Sequence, residues 1–162
     1  MGWRRLFTYK PDRTWLDWAE SKGFAYQQDG ADLPGRYYEA LPEPSTWRYS
    51  PREEYFGVVR GTWRDRSFVY FQRRVQGRGG TQVVDGFVLQ LPGTPRADLL
   101  TMTPAEAFGA AGFGLPREGT FEWHSPDWIL GTGFTKQPAQ FEAILEYITV
   151  QLAAAPAELW QP

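Results

Sequence analysis

From Tyr55 to Leu91 the hydrophobic pattern of the chain switches to a period of two, and this stretch constrains the fold more than any other. YFGVVRGTW, SFVYFQRRVQ and TQVVDGFVLQL each read as a β segment rich in Val, Phe, Tyr and Trp. Arg64-Asp65-Arg66 and Gly77-Arg78-Gly79-Gly80 separate them. Links this short return each strand beside its predecessor, so the stretch is expected to be an antiparallel meander.

Helix punctuation flanks the meander. Before it, Asp12 can cap a helix in which Trp15, Leu16, Trp18 and Ala19 share a face, and Gly23 stops it. Phe24 sits where a C-terminal hydrophobic contact belongs. A short strand, FAYQ, follows. Residues 28–53 are rich in Pro, Gly and Asp and read as a long ordered loop anchored by Tyr37, Tyr38, Leu41 and Trp47. Within it, Ser50 and Glu53 suggest one capped helical turn at SPRE.

After the meander, Thr103-Pro104-Ala105-Glu106 combines a cap, a first-turn proline and a glutamate three residues past the cap, which marks a short helix. TFEWH and WILGTGF read as two more strands. The last helix runs from Pro138 to about Leu152, with Phe141, Ile144, Leu145, Ile148 and Leu152 in one stripe. The tail AAAPAELWQP is either frayed or docked by Trp160. The order α, β, βββ, α, ββ, α predicts an α+β fold in one domain, residues 1–162. One antiparallel meander sheet hides its apolar face under the N-terminal, middle and C-terminal helices.

Composition then limits the chemistry. A chain of 162 residues hides roughly 70% of its unfolded surface and needs no staple. There is no cysteine and only one histidine, which rules against a structural zinc, and no D-x-D-x-D-G loop suggests calcium, so no metal or cofactor is expected. MGWRRLFTYKPDRTW has no apolar run after its arginines, no stretch of 18 apolar residues occurs, and Leu6 stands where a myristoylation signal wants Ser or Thr. A cytoplasmic protein without a membrane segment is the expectation. Residues 1–80 carry 14 Lys and Arg against 10 Asp and Glu, a balance of +4, while residues 81–162 carry 3 against 9, a balance of −6. A chain so divided can serve as its own counterion.

FEWHSPDW holds the only histidine beside Glu, Ser and Asp. On a strand Phe121 and Trp123 point one way and Glu122 and His124 the other, and Ser125-Pro126-Asp127 is a turn. A nucleophile, its base and an orienting group must converge from separate elements, so this stretch reads as structural rather than catalytic. Glu53-Glu54 diverge as sequence neighbours and make no carboxylate dyad. Gly77-Arg78-Gly79-Gly80 lacks the Gly-Lys-Ser/Thr ending of a phosphate loop and reads as a hairpin turn. SFVYF resembles the aromatic strand of an RNA-recognition domain but lacks the glycines that open that motif. Nucleic-acid binding is therefore a minor alternative, all the more because overall acidity supplies no general attraction for phosphates.

Aromatic residues make up 17% of the chain, eight of them Trp. Each buried indole N–H requires a partner, so some rings are expected at the surface as anchors for another molecule.

Three stretches together resemble an uncharacterised family of actinobacterial proteins: Trp18-Ala19 with KGFAY, VVRGTWRDRSFVYFQ, and FVLQLPG followed by LLTMTP. The resemblance covers two thirds of the chain and implies structure without an activity. The element order is also similar to that of class I type III secretion chaperones and the YbjN-like proteins, which implies a sheet-and-helix surface that holds partner segments. The expectation is a non-enzymatic protein-binding domain: a chaperone, adaptor or immunity-type protein whose partner is another protein, such as a secreted effector or toxin. Its binding residues would be Trp47, Tyr55, Arg60, Trp63, Arg64 and Tyr70 on an aromatic, arginine-rimmed face. The alternative is a carrier with a pocket for a small apolar ligand between the meander and the C-terminal helix.

Overall fold

A computed structural model of the chain describes residues 13–29, 54–77, 80–124, 127–133 and 137–162. Its elements follow in the expected order: helix α1 (Arg13–Lys22), strands β1 (Ala25–Asp29), β2 (Glu54–Trp63), β3 (Arg66–Gly77) and β4 (Gly80–Gln90), helix α2 (Pro104–Ala110), strands β5 (Thr120–His124) and β6 (Trp128–Thr132), and helix α3 (Pro138–Ala154). The six strands form one sheet in the order β1-β2-β3-β4-β6-β5, and every neighbouring pair is antiparallel. Strands β2 to β4 are the meander, and β1 pairs with its β2 edge. The segment holding α2 then passes over β6 to the sheet edge, and β5 leads back to β6 beside β4. Expected features at Asp12, at SPRE and in the Pro-rich loop lie outside the described residues.

Local chemistry accounts for the element ends. Helix α1 closes on Gly23 (φ 72°), whose N–H donates to the Glu20 carbonyl at 3.2 Å while Phe24 N–H donates to Ala19 at 2.8 Å. This paired arrangement satisfies two terminal carbonyls, and the left-handed residue it requires is cheapest as glycine. The accompanying hydrophobic contact is made by Phe24, whose ring stands 5.3 Å from that of Trp18. The Thr103 hydroxyl accepts from Glu106 N–H at 3.2 Å, the Glu106 carboxylate accepts from Thr103 N–H at 3.1 Å, and Pro104 follows in the first turn of α2. The tail is docked rather than frayed: Trp160 bridges Pro95, and Gln161 N–H donates to the Thr94 carbonyl at 2.7 Å.

Helices α1, α2 and α3 lie on one face of the sheet. There Trp15 and Ala19 of α1, Phe108 of α2, and Phe141, Leu145, Ile148 and Leu152 of α3 meet Val59, Phe68, Tyr70, Phe87, Leu89, Phe121 and Ile129 of the strands. Phe141 is at the centre, with its ring 5.0–5.9 Å from those of Trp15, Trp18, Phe68, Tyr70 and Phe87. Each well-placed ring pair adds about 0.5–1.5 kcal/mol beyond the area it buries. Close approach is needed at Gly61, where a Cβ would stand 2.3 Å from Cδ1 of Phe24.

The expectation of a single apolar face needs correction. On the other side of the sheet Tyr55, Val58, Val69, Phe71, Val88 and Leu130 form a second buried cluster, to which none of the three helices contributes. Strand β3 is the cause, since its two alternating sets, Phe68 with Tyr70 and Val69 with Phe71, are both apolar. A strand with two apolar faces belongs inside a protein rather than on a half-solvated sheet.

Candidate carboxylate-binding corner

Helix α3 carries only two charged residues, Glu142 and Glu146, one turn apart. Each meets one indole and one cation. Trp18 Nε1 donates to Glu142 Oε2 at 2.9 Å and Lys22 Nζ to Glu142 Oε1 at 3.2 Å. Trp63 Nε1 donates to Glu146 Oε2 at 2.8 Å, and Arg64 Nε lies 2.9 and 2.8 Å from the two oxygens of the same carboxylate. Arg64 Nη2 donates to Glu146 Oε1 as well, giving a two-pronged pairing. The two halves join where Lys22 Nζ stands 5.7 Å above the ring of Trp63.

Three elements position these groups. Trp18 and Lys22 are four residues apart on α1 and so lie on one face. Trp63 ends β2 opposite Arg66 of β3, and between them Arg64 (φ 45°) and Asp65 (φ 64°) make a two-residue turn with both residues left-handed. Such turns favour Asn-Gly, because a left-handed conformation costs other residues roughly 1 kcal/mol or more each. Here the turn aims the Arg64 guanidinium back at α3. The indoles of Trp18 and Trp63 rest their apolar rings on the core and present their N–H groups at its edge.

The electrostatics match the geometry. Hydrogen bonding from Arg64, then from Trp63, holds the Glu146 carboxyl down at about 2, and the same pairing raises Arg64 further above its ordinary range. The pair nonetheless stands in solvent, with the side chains of Arg64 and Glu146 57% and 41% exposed. A planar fork with an indole N–H beside it is suited to binding a carboxylate.

Of the six residues expected on one binding face, the structure brings together Trp63 and Arg64. Tyr70 is 1% exposed beneath the helices, stacked on Trp15 at 3.8 Å. Tyr55, 4% exposed, is in the second cluster on the opposite side of the sheet, 5.5 Å from the ring of Phe71. Arg60 is the cross-strand partner of Val69, a member of that second cluster, and its Nη1 donates to Gln27 Oε1 at 2.6 Å. Trp47 lies outside the described residues. Among the described residues Tyr147 is 43% exposed, and three half-buried indoles find acceptors at the edge of the core: Glu142 for Trp18, Glu146 for Trp63 and the Met102 carbonyl for Trp123, at 2.8 Å. Sequence reasoning missed the acceptors, although two glutamates one turn apart on an otherwise uncharged helix were a visible signal.

The other candidate stretches are placed as follows. His124, 2% exposed, is opposite Trp128 across the β5–β6 hairpin, and burial pushes its imidazole down to about 4. It is neutral at pH 7, as suits a structural residue. The rings of SFVYF are covered on both sides, Phe68 and Tyr70 by helices and Phe71 in the second cluster, so none lies open for stacking on a base. Phe141 and Leu145 of α3 are buried in the core cluster with the strand residues. Among the described residues no group of three His, Asp or Glu could hold a metal ion, and no helix is long and apolar enough to cross a membrane. Compared with known proteins, the chain matches no family model, no curated protein and no solved structure.

Proposed function

We propose that this chain is a non-enzymatic protein-binding domain, of the chaperone, adaptor or immunity type, that holds its partner at the corner formed by Trp63 and Arg64. The observation that carries the reading is the exposed Arg64 guanidinium, fixed by its turn beside a hydrogen-bonding indole and already arranged around a carboxylate. Arginine and tryptophan are the side chains that most often dominate protein interfaces, because each couples a broad apolar or planar surface to directional donors. The buried Tyr55 and Tyr70 are left to the fold.

Immobilised protein exposed to native lysate of its source cells tests this reading. Retention of one defined protein is expected, with at least tenfold less retained by Arg64→Ala, a change at an exposed turn position that should leave the circular dichroism spectrum intact. Equal retention by the two forms, or retention of nothing, would refute it.

A further inference from the structure

The Trp63–Arg64 corner already has an occupant. Glu146 sits in it, and one turn earlier Glu142 receives the same pair of donor types from Trp18 and Lys22. An indole N–H with a cation is thus a repeated means of holding a carboxylate on this side of the molecule. The turn that presents Arg64 is set by the Trp63–Arg66 strand pairing, and Phe24 packs against the Trp63 ring. An ion pair between side chains as exposed as these exchanges readily with other ions, since solvent competes for both partners.

From this we infer that Glu146 is a built-in competitor and that the partner presents an acidic protein segment whose carboxylate replaces Glu146 on Arg64 and Trp63. The inference rests on the protein-binding reading above and adds the chemistry of the partner and the regulation of the site. Lys22, above the Trp63 ring and paired with Glu142, gives the incoming segment a second positive charge where a second carboxylate replaces Glu142. The internal ligand also suggests the spacing that fits best, two carboxylates separated by one helical turn, as Glu142 and Glu146 are on α3. Displacement would leave Glu146 in water, where an exposed carboxylate is well solvated, so the exchange is between two states of similar free energy. Partner binding is accordingly weakened by the fraction of corners that Glu146 occupies.

The test uses the full chain and a fluorescein-labelled 15-residue peptide with glutamate at i and i+4, alongside the same peptide with glutamine at both positions. Glu146→Gln should bind the acidic peptide about two- to sixfold more tightly than the wild-type protein by fluorescence anisotropy, the gain set by removing one exposed ion pair. Adding Arg64→Gln should abolish the gain, the glutamine peptide should not bind, and affinity should fall as salt rises. Equal affinity of the wild-type and Glu146→Gln proteins, or tight binding that survives loss of Arg64, overturns the inference. Should Glu146→Gln fail to fold, the wild-type chain decides alone. Titration with the acidic peptide must then shift the Trp63 indole N–H cross-peak in a ¹⁵N–¹H spectrum, and an unmoved peak overturns the inference. If Arg64→Ala loses its protein from lysate while the acidic peptide never binds, the protein-binding reading stands and the acidic segment is refuted. Failure of both experiments removes both.

Discussion

A buried imidazole turns pH into stability, and His124 does so in a direction the structure fixes. Its folded pKa of about 4 lies below the ordinary 6.5, and burial is the cause. Between those values the unfolded chain binds a proton that the folded chain excludes. The stabilisation is therefore fully present above pH 6.5 and is lost progressively as pH falls toward 4. Over that window a difference of this size amounts to about 3 kcal/mol. Urea unfolding at pH 7.0 and 4.5 should show the wild type markedly weaker at the lower pH, with His124→Leu losing most of that dependence. A pH dependence unchanged by the substitution would mean that another group carries it. The sequence could place His124 on a strand, away from Phe121 and Trp123, but not inside the protein. Its burial is a property of the folded molecule, which no local pattern reveals.

At the scale of elements, punctuation was legible and irregularity was not. The capping box of α2 is written in four adjacent residues, and the closing turn of α1 is written in Gly23-Phe24, because both depend on chemistry within one helical turn. Replacing Thr103 by Ala removes the acceptor for Glu106 N–H and should cost about 1 kcal/mol, read as a lower urea midpoint at constant m-value. No loss of stability would show that α2 is held by Phe108 and Ala107 alone. Strand β2 is the contrasting case. Strict alternation puts Tyr55 and Trp63 on one face, but the register shifts between Phe56 and Val59, so two residues of β2 oppose one of β3. That extra residue turns Tyr55 to the second cluster while Val59, Gly61 and Trp63 face the helices. One inserted residue exchanges the faces of everything before it and leaves no periodic trace. The shift separates Tyr55 from Trp63.

For the molecule as a whole, α3 is the element through which α1, the sheet and the β2–β3 turn are joined, and its two faces do different work. The inner face stabilises: Phe141, 1% exposed, touches five other rings, and Phe141→Ala should cost about 3–5 kcal/mol, lowering Tm by on the order of 10 °C. The glutamate rim positions, because exposed ion pairs return little net free energy once solvent and side-chain entropy are counted. Its acid response is separate from that of His124: with Glu146 held at about 2 against an ordinary 4.5, its contribution is complete above 4.5 and disappears as pH falls through 2. The double variant Glu142→Gln, Glu146→Gln should therefore lower Tm by much less than Phe141→Ala. It should also speed hydrogen exchange at the indole N–H groups of Trp18 and Trp63 while leaving the sheet amides protected. A fall in Tm as large as that of Phe141→Ala would make the rim part of the stabilising core. Unchanged exchange at both indoles would mean that their burial against Phe24 and Phe141, rather than the carboxylates, sets their protection. Such a division would let a polar rim exchange its carboxylate for another without loosening the packing beneath it.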